Sequence, residues 1–469
     1  MYHKWDENPV VIVYAPEFAP ISTVPFPAIT MCPLSKARVD QFNLTQTYEL
    51  SRSGTSLDRT RGRKLRALAH VCPYSHLWGN FSMSEGESVI QTLRNMSFPK
   101  KTIAQWCMWR YKVVNCSDML TKTLTEDGIC YTFNGLPASK LYRADFETPA
   151  ATDSNWTQDS GYGSSAGLNA YPFRSMGNGL ISGLFVALSV RTIDQEFLCS
   201  GPYTGFKIVV HTPDEVAMSG DWFFRLNNED DIALTFTPNV MYTSEKLRNA
   251  SPMRRSCFFD NERYLRFFNS YNQANCAAEC MANLTLQKCG CVKFSMPRTA
   301  DMKICDASKI ECYRNILIEA FDEEIRHAMQ GMISLCGCYP ACNSVEYRVE
   351  ISRMPFYFQE LSRAAGEAFD KYKGYDIAVM SMSFKHRHHL PIWRREMLGV
   401  TDVIAEFGGL FALLLGASAL SLCEILYYAC LRPLRRERIP RLAINWMYVL
   451  PWAARQNPFR TRMNQPEDW

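Results

Sequence analysis

Residues 406–431 carry the residue types best suited to handling an ion. They read Glu406-Phe-Gly408-Gly409-Leu-Phe-Ala-Leu-Leu-Leu-Gly416-Ala417-Ser418-Ala-Leu-Ser-Leu-Cys423-Glu424-Ile-Leu-Tyr-Tyr-Ala-Cys-Leu431. From Phe407 to Leu431 the one carboxylate is Glu424, in a run long enough for a helix to cross a hydrocarbon core of ~30 Å. A carboxylate inside such a helix is costly and usually faces a water-filled path. Small residues at 416–418 let helices, or the walls of a narrow pore, approach closely. The plainer alternative is a tether whose Glu424 snorkels at its inner end.

Three further sets could do chemistry. Gly163-Ser-Ser165-Ala-Gly167 matches the nucleophile pattern G-x-S-x-G, but that elbow needs a strand before it and a helix after it. Here Asp153-Ser-Asn-Trp-Thr-Gln-Asp-Ser-Gly161 precedes it, a loop by composition, so no catalytic residue is expected and the chain is not read as an enzyme. Cys289-Gly-Cys291 and Cys336-Gly-Cys338 raise zinc, yet the spacing is not the usual C-x2-C knuckle, so disulfides are expected and no metal. His386, His388 and His389 flank Arg387. An unperturbed imidazole titrates near ~6.5, so they suit a pH sensor or a metal; a solvated basic loop is the preferred reading.

Composition limits the setting of these residues. The formal net charge is +4 over 469 residues, with arginines gathered after residue 431, which gives no support for nucleic-acid binding. Of 18 cysteines, all but Cys423 and Cys430 lie from Cys32 to Cys342, an even set that suggests disulfides and an oxidising compartment. The glycosylation sequons at Asn43, Asn80, Asn95, Asn115, Asn155 and Asn283 all precede residue 396, as does a weaker one at Asn249 that is followed by Pro252. Arg432, Arg435, Arg436, Arg438 and Arg441 follow the apolar run and mark its cytoplasmic side. Residues 1–396 are therefore read as extracellular and 432–469 as cytoplasmic. The start, Met1-Tyr-His-Lys-Trp-Asp, resembles neither a signal peptide nor a membrane helix, so an upstream membrane helix is expected to have carried the ectodomain across.

The elements that must position these residues follow from pattern. Residues 9–31 read as extended, Gly128–Asn134 as a compact strand, and 150–178 as a loop. Leu180–Val190, Gly205–His211, 232–243, 345–353 and 375–384 read as strands, expected to form one antiparallel sheet. Residues 40–110 read as a peripheral glycosylated subdomain with polar and basic turns at 51–56 and Arg59–Arg66. Weak helical periodicity at 88–110 puts Trp106 and Trp109 on one face. Cys276-x3-Cys280 and Ile316–Met332 have helical spacing.

Several stretches together resemble the degenerin/epithelial sodium channel family, in its insect pickpocket branch. They are Phe26-Pro-Ala-Ile-Thr-Met-Cys32, Cys130-Tyr-Thr-Phe-Asn134 and Gly205-Phe-Lys-Ile-Val-Val-His211-Thr-Pro-Asp-Glu215. Tyr271-x-Gln273-x2-Cys276-x3-Cys280, Cys289-Gly-Cys291 and Met296-Pro297 follow, then Gly416-Ala417-Ser418 with Leu420-Ser421 and Glu424.

The resemblance implies an α+β membrane protein in the plasma membrane. It has a large disulfide-rich extracellular domain with an antiparallel β-sheet palm and helical thumb, and a pore-lining transmembrane helix. The family's first transmembrane helix and its His-Gly segment would precede Tyr2 and Trp5 and are absent from this sequence. The implied domains are a linker (1–30), a palm, finger and β-ball region (31–256), a cysteine-rich thumb (257–345), the palm return (346–398), the pore helix (399–431) and a cytoplasmic tail (432–469). The implied disulfides are Cys257–Cys342, Cys276–Cys338, Cys280–Cys336, Cys289–Cys312, Cys291–Cys305, Cys32–Cys130, Cys107–Cys116 and Cys72–Cys199.

Functionally, the resemblance implies a homo- or heterotrimer with other family subunits in a lipid bilayer, passing Na+ and needing no cofactor. Gly416, Ala417 and Ser418 would form the selectivity filter at a helix break, Glu424 an inner acidic ring, and Glu406 part of the outer mouth. Gly408 and Gly409 would sit near the degenerin gating position. Glu319, Asp322, Glu323 and Glu324 on the thumb would either face a neighbouring lobe and respond to protons or form a solvated helix face. Mechanical, osmotic and chemical stimuli all remain open. The competing readings are a single-pass disulfide-rich receptor, a truncated non-conducting regulatory subunit, and an ectoenzyme using Ser165.

Overall fold

The computed structural model describes residues 10–432 apart from 80, 82–87, 144–155, 165, 219, 221, 332–334, 398, 399 and 417. Asn80, Asn155, Ser165, Ala417 and the tail after Arg432 thus lie outside the described residues. The chain divides into two compact units, Met1–Met397 and Leu398–Trp469.

The first unit is built on strands β1 (Val10–Tyr14), β2 (Ala19–Pro20), β3 (Ala28–Pro33), β4 (Ala104–Trp109), β5 (Lys112–Val114), β6 (Leu120–Thr125), β7 (Gly128–Phe133) and β8 (Leu184–Arg191). It continues with β9 (Phe206–His211), β10 (Phe224–Leu226), β11 (Asp230–Thr243), β12 (Ser344–Pro355), β13 (Tyr375–Phe384), β14 (His388–His389) and β15 (Ile392–Glu396). The sequence predicts one antiparallel sheet; the structure has two main ones. An eight-stranded sheet runs β1-β15-β11-β13-β8-β4-β5 with β12 also on β11, and a five-stranded sheet runs β10-β9-β3-β7-β6.

The larger sheet is mixed, which corrects the antiparallel expectation. β11 pairs antiparallel with β12 along almost its whole length but parallel with β13 and with β15. The cause is the connection. Residues 356–374, with a helix at Phe358–Ala365, straddle the start of β11 and re-enter on its far side, where the chain must run parallel. The central strand shows why these residues form a sheet: Asp230–Thr243 alternates buried and half-buried positions with period two almost throughout.

Phe26, fully buried, is the wedge between the sheets. Its ring lies 6.0 Å from Phe133 of the small sheet, and 5.1, 5.6 and 5.5 Å from Trp109, Phe236 and Phe384 of the large one. All four contacts are edge-on, the geometry that ring quadrupoles favour.

Two sequence expectations fail at the periphery. Trp106 and Trp109 lie on β4 rather than on a helix. Three residues apart on a strand means opposite faces, so Trp109 is buried and Trp106 is 48% exposed, edge-on to Phe185. Of the stretches read as polar and basic turns, 51–56 is largely the turn that ends the Leu44–Arg52 helix, whereas Arg59–Arg66 lies in the helix Arg59–Ala69; each helix has a side-chain cap, Asn43 accepting from Gln46 N–H and Asp58 from Arg61 N–H.

The cysteine-dense block contains two helices, Gln273–Cys289 and Ile310–Met329. Cys276 and Cys280, one turn apart, are tied to Cys338 and Cys336, and Cys289 joins the second helix at Cys312. Cys291–Cys305 closes the connecting loop and Cys257–Cys342 the base. Cys32–Cys130, Cys72–Cys199 and Cys107–Cys116 fall outside this block. These are the pairs that the resemblance implies, and they leave Cys423 and Cys430 as thiols.

Candidate functional site

Three of the motifs quoted above converge on the small sheet. β3 carries Thr30, β7 carries Thr132, and β9 carries His211. Register places Thr30 opposite Thr132 on one side and Val209 on the other. The result is a chain of hydrogen bonds across the sheet. The Thr123 hydroxyl donates to Thr132 Oγ1 (2.8 Å), and Thr132 Oγ1 lies 2.8 Å from Thr30 Oγ1, which lies 2.9 Å from His211 Nε2. His211 Nδ1 is 2.9 Å from the Thr212 carbonyl. A carbonyl can only accept, so Nδ1 carries a proton. Burial lowers the ring's pKa to about 4, so well above that pH the ring is neutral and Nε2 accepts from Thr30. Cys32–Cys130 ties β3 to β7 beside this chain.

The turn after β9 carries this arrangement into the helix pair. The side-chain amides of Asn272 and Asn275 donate to the Asp214 carbonyl at 3.1 and 2.9 Å, and Val216 N–H donates to Asn275 Oδ1. Asn272 also caps the Gln273–Cys289 helix by accepting from Asn275 N–H. Asp214 is buried, so its pKa rises to about 6 despite hydrogen bonds from Thr212, Gln158 and Asn272. Glu215 is pushed up to about 7, first by desolvation and then by the Asp214 carboxylate. Sequence reasoning quoted the stretch His211–Glu215 as a motif but missed the contacts of His211 with Thr30 and of Asp214 with Asn272. The one available signal was that all lie inside the quoted motifs.

In the second helix of the cysteine-dense block, Tyr313, in the first turn of Ile310–Met329, has its hydroxyl 3.1 Å from His70 Nδ1. Burial lowers His70 to about 4. The acidic residues of this helix do not converge. Glu319 pairs with Lys288, Glu323 with Arg326 and His327, and Glu324 accepts from Leu335 N–H, while Asp322 is exposed. His389 departs from the expected solvated loop: β14 pairs with β2, which buries it and lowers its pKa, whereas His386 and His388 are exposed.

In the second unit, the expected long helix is divided. Val400–Leu415 is one helix and Ala419–Leu426 another, followed by a five-residue π turn at Tyr427–Leu431. Among the described residues, no helix is long and apolar enough to cross a membrane. Gly416 has φ +61°, a left-handed conformation that glycine adopts without strain. Ser418 is extended and caps the second helix: its hydroxyl accepts from Ser421 N–H and Ser421 Oγ accepts from Ser418 N–H. A helix ending at Leu415 leaves its last-turn carbonyls without intrahelical donors. Glu406 and Glu424 are exposed on the single chain, and a Cβ at Gly408 or Gly409 would meet nothing within 4 Å.

This combination of a disulfide-stapled α+β body and a separate apolar segment broken at Gly416 has clear relatives. The profile of the amiloride-sensitive sodium channel family matches residues 1–428, and the chain belongs to that family, one of ion channels and not of enzymes. Pickpocket protein 28 of Drosophila melanogaster is 25% identical over 98% of this chain and 77% of its own length. Sodium channel protein Nach of the same fly is 24% identical over 91% of this chain and 77% of itself. Acid-sensing ion channel 4-B of Danio rerio is 21% identical over 86% of this chain and 62% of itself.

Proposed function

We propose that this chain is a pore-lining subunit of a trimeric, sodium-permeable channel in the plasma membrane, gated through its extracellular part. The observation that carries this reading is the helix that ends at Leu415 and restarts at Ala419, with Gly416 in the left-handed region and Ser418 as the cap. A simple tether has no use for a glycine in the left-handed region and a capped restart within an apolar run. A pore has one: the break turns backbone carbonyls and the Ser418 hydroxyl toward a permeating cation, which sheds part of its water there. Gly416, Ala417 and Ser418 form the filter, with no resident cofactor. Three copies of Glu424 make an inner acidic ring that favours cations, and Glu406 adds to the field at the outer mouth. Residues 1–396 face the outside and carry glycans at Asn43, Asn80, Asn95, Asn115, Asn155 and Asn283, with a palm, finger and β-ball region (31–256), a thumb (257–345) and the palm return and pre-pore linker (346–398). An endoglycosidase shift on a gel reads the glycans; an unshifted band argues against an extracellular body.

Gly408 tests the pore. A Cβ there meets nothing within 4 Å, so a bulky side chain is expected to act on neighbouring subunits. Expressed alone or with pickpocket subunits under voltage clamp, Gly408→Phe is expected to raise the resting Na+ current severalfold over the parent. Surface-expressed protein with an unchanged current in both settings contradicts the pore reading and favours a receptor or non-conducting regulator.

A further inference from the structure

His386, His388 and His389 precede β15 and take no part in the pore. The third differs from the others. His389 is 4% exposed, whereas His386 and His388 stand in solvent. Neither ring nitrogen of His389 has a hydrogen-bond partner, and both are closed to solvent. A neutral imidazole has one N–H to donate and one nitrogen to accept, and a buried polar group left unpaired carries its full desolvation cost. His70 and His211, also buried or nearly so, are each hydrogen-bonded through Nδ1.

His389 sits in a short tie. β14 pairs antiparallel with β2, His388 opposite Pro20 and His389 opposite Ala19, and Pro20 has no N–H to add. Ile21 N–H donates to the Arg387 carbonyl and Ala15 N–H to the Pro391 carbonyl. Together with the pairing of β1 on β15, these bonds hold the first strands of the body to its last. β15 and then the Val400–Leu415 helix follow β14 in the chain.

An imidazolium donates from both nitrogens, and this interior offers neither an acceptor nor a negative charge. β2 contributes Ala19 and Pro20, and Glu17 before it is exposed. β11, which also packs on β14, has no charged side chain from Ile232 to Thr243, and its one ionisable group there is Tyr242. On the ribbon itself the neighbour is His388, and burial first, then that ring, lower the pKa of His389. Arg387 is bonded to Asn178 and Lys385 to Glu350. On β15, Arg394 is buried and cationic, and Glu396 lies at the far end opposite Val10.

We propose that the β2–β14 ribbon is a proton-triggered latch: a proton on His389 expels the ring from the interior and opens the ribbon. The open form takes up the proton at an ordinary value of ~6.5 and the closed form resists it. Closure is therefore fully supported above that pH and weakens as pH falls. Acid acts oppositely at the buried Asp214 and Glu215, whose protonated forms the fold favours.

The test is hydrogen–deuterium exchange, read by mass spectrometry on the detergent-solubilised full chain at pH 7.5 and 5.0, with each rate divided by the intrinsic rate at that pH. Amides in peptides spanning 15–21 and 385–391 should lose protection by about ten- to thirtyfold at pH 5.0, while those of β8 hold. His389→Phe keeps a ring and His389→Leu does not; neither can take a proton, so the ribbon of whichever folds should be equally protected at both values. His386→Gln/His388→Gln, which leaves His389 in place, should open as the parent does. The proposal is overturned if the parent's ribbon is equally protected at the two pH values, if a folded His389 variant opens like the parent, or if the double glutamine variant stays closed. No current is read, so the result stands apart from whether the chain conducts.

Discussion

His70 and Asp214 are buried ionisable groups whose effects on stability oppose each other between about pH 4 and 6.5. His70 titrates near 4 in the folded chain against 6.5 for the free group, so the unfolded chain holds the extra proton in that window. Its contribution is fully present above the unfolded value and is lost as pH falls toward 4. Asp214 is raised from 3.8 to about 6, so the folded chain holds the extra proton and stability is lost as pH rises from 3.8 through 6. His70→Phe should therefore flatten the rise of melting temperature with pH across this window, and Asp214→Asn should steepen it. Thermal melts of the detergent-solubilised chain at pH 4.5, 5.5 and 6.5 read both. Slopes unchanged in both variants would mean that neither group is desolvated as described. Sequence alone marked neither as a buried ionisable group: His70 follows the basic stretch Arg59–Arg66, and its hydrogen-bond partner Tyr313 is 243 residues away.

At the scale of elements, the sheets depend on Phe26. Among the described residues it is the one in edge-on contact with rings from β4, β7, β11 and β13 together. Phe26→Ala removes that wedge and leaves a cavity between the sheets, with an expected loss of about 3–5 kcal/mol read as a lowered midpoint in denaturant. A loss below about 1 kcal/mol would show that the sheets close up without it. Strands were the most legible elements. The alternation in Asp230–Thr243 and the β-branched run of Phe206–His211 register directly in the residues. What pattern could not give was their pairing, because parallel contacts of β11 with β13 and β15 depend on a connection that straddles a strand end. Trp106 and Trp109 show the other failure: a spacing of three fits a helix face and a strand's two faces equally, and only burial of Trp109 decides. The Arg59–Ala69 helix was missed because its charges outweighed the short apolar set of Leu65 and Leu68.

For the whole molecule, the body and the apolar segment carry different parts of the function. The body joins the small sheet to the helix pair through the turn at Thr212–Val216, where Asp214 meets Asn272 and Asn275. The segment from Val400 to Leu431 provides the break. Its small residues were readable in the sequence, because a glycine followed by a serine cap explains the interruption locally. The glycine's left-handed conformation was not readable, since an apolar helix tolerates glycine as well.

The most direct measurement is the reversal potential under exchange of external Na+ for K+, on cells expressing the chain with Gly408→Phe. Gly416→Ala strains the left-handed position and Ser418→Ala removes the capping hydroxyl. If 416–418 is the filter, the parent reversal potential follows Na+, and each substitution shifts it toward equal permeability or abolishes the current. An unchanged reversal potential and conductance in both variants would contradict the account.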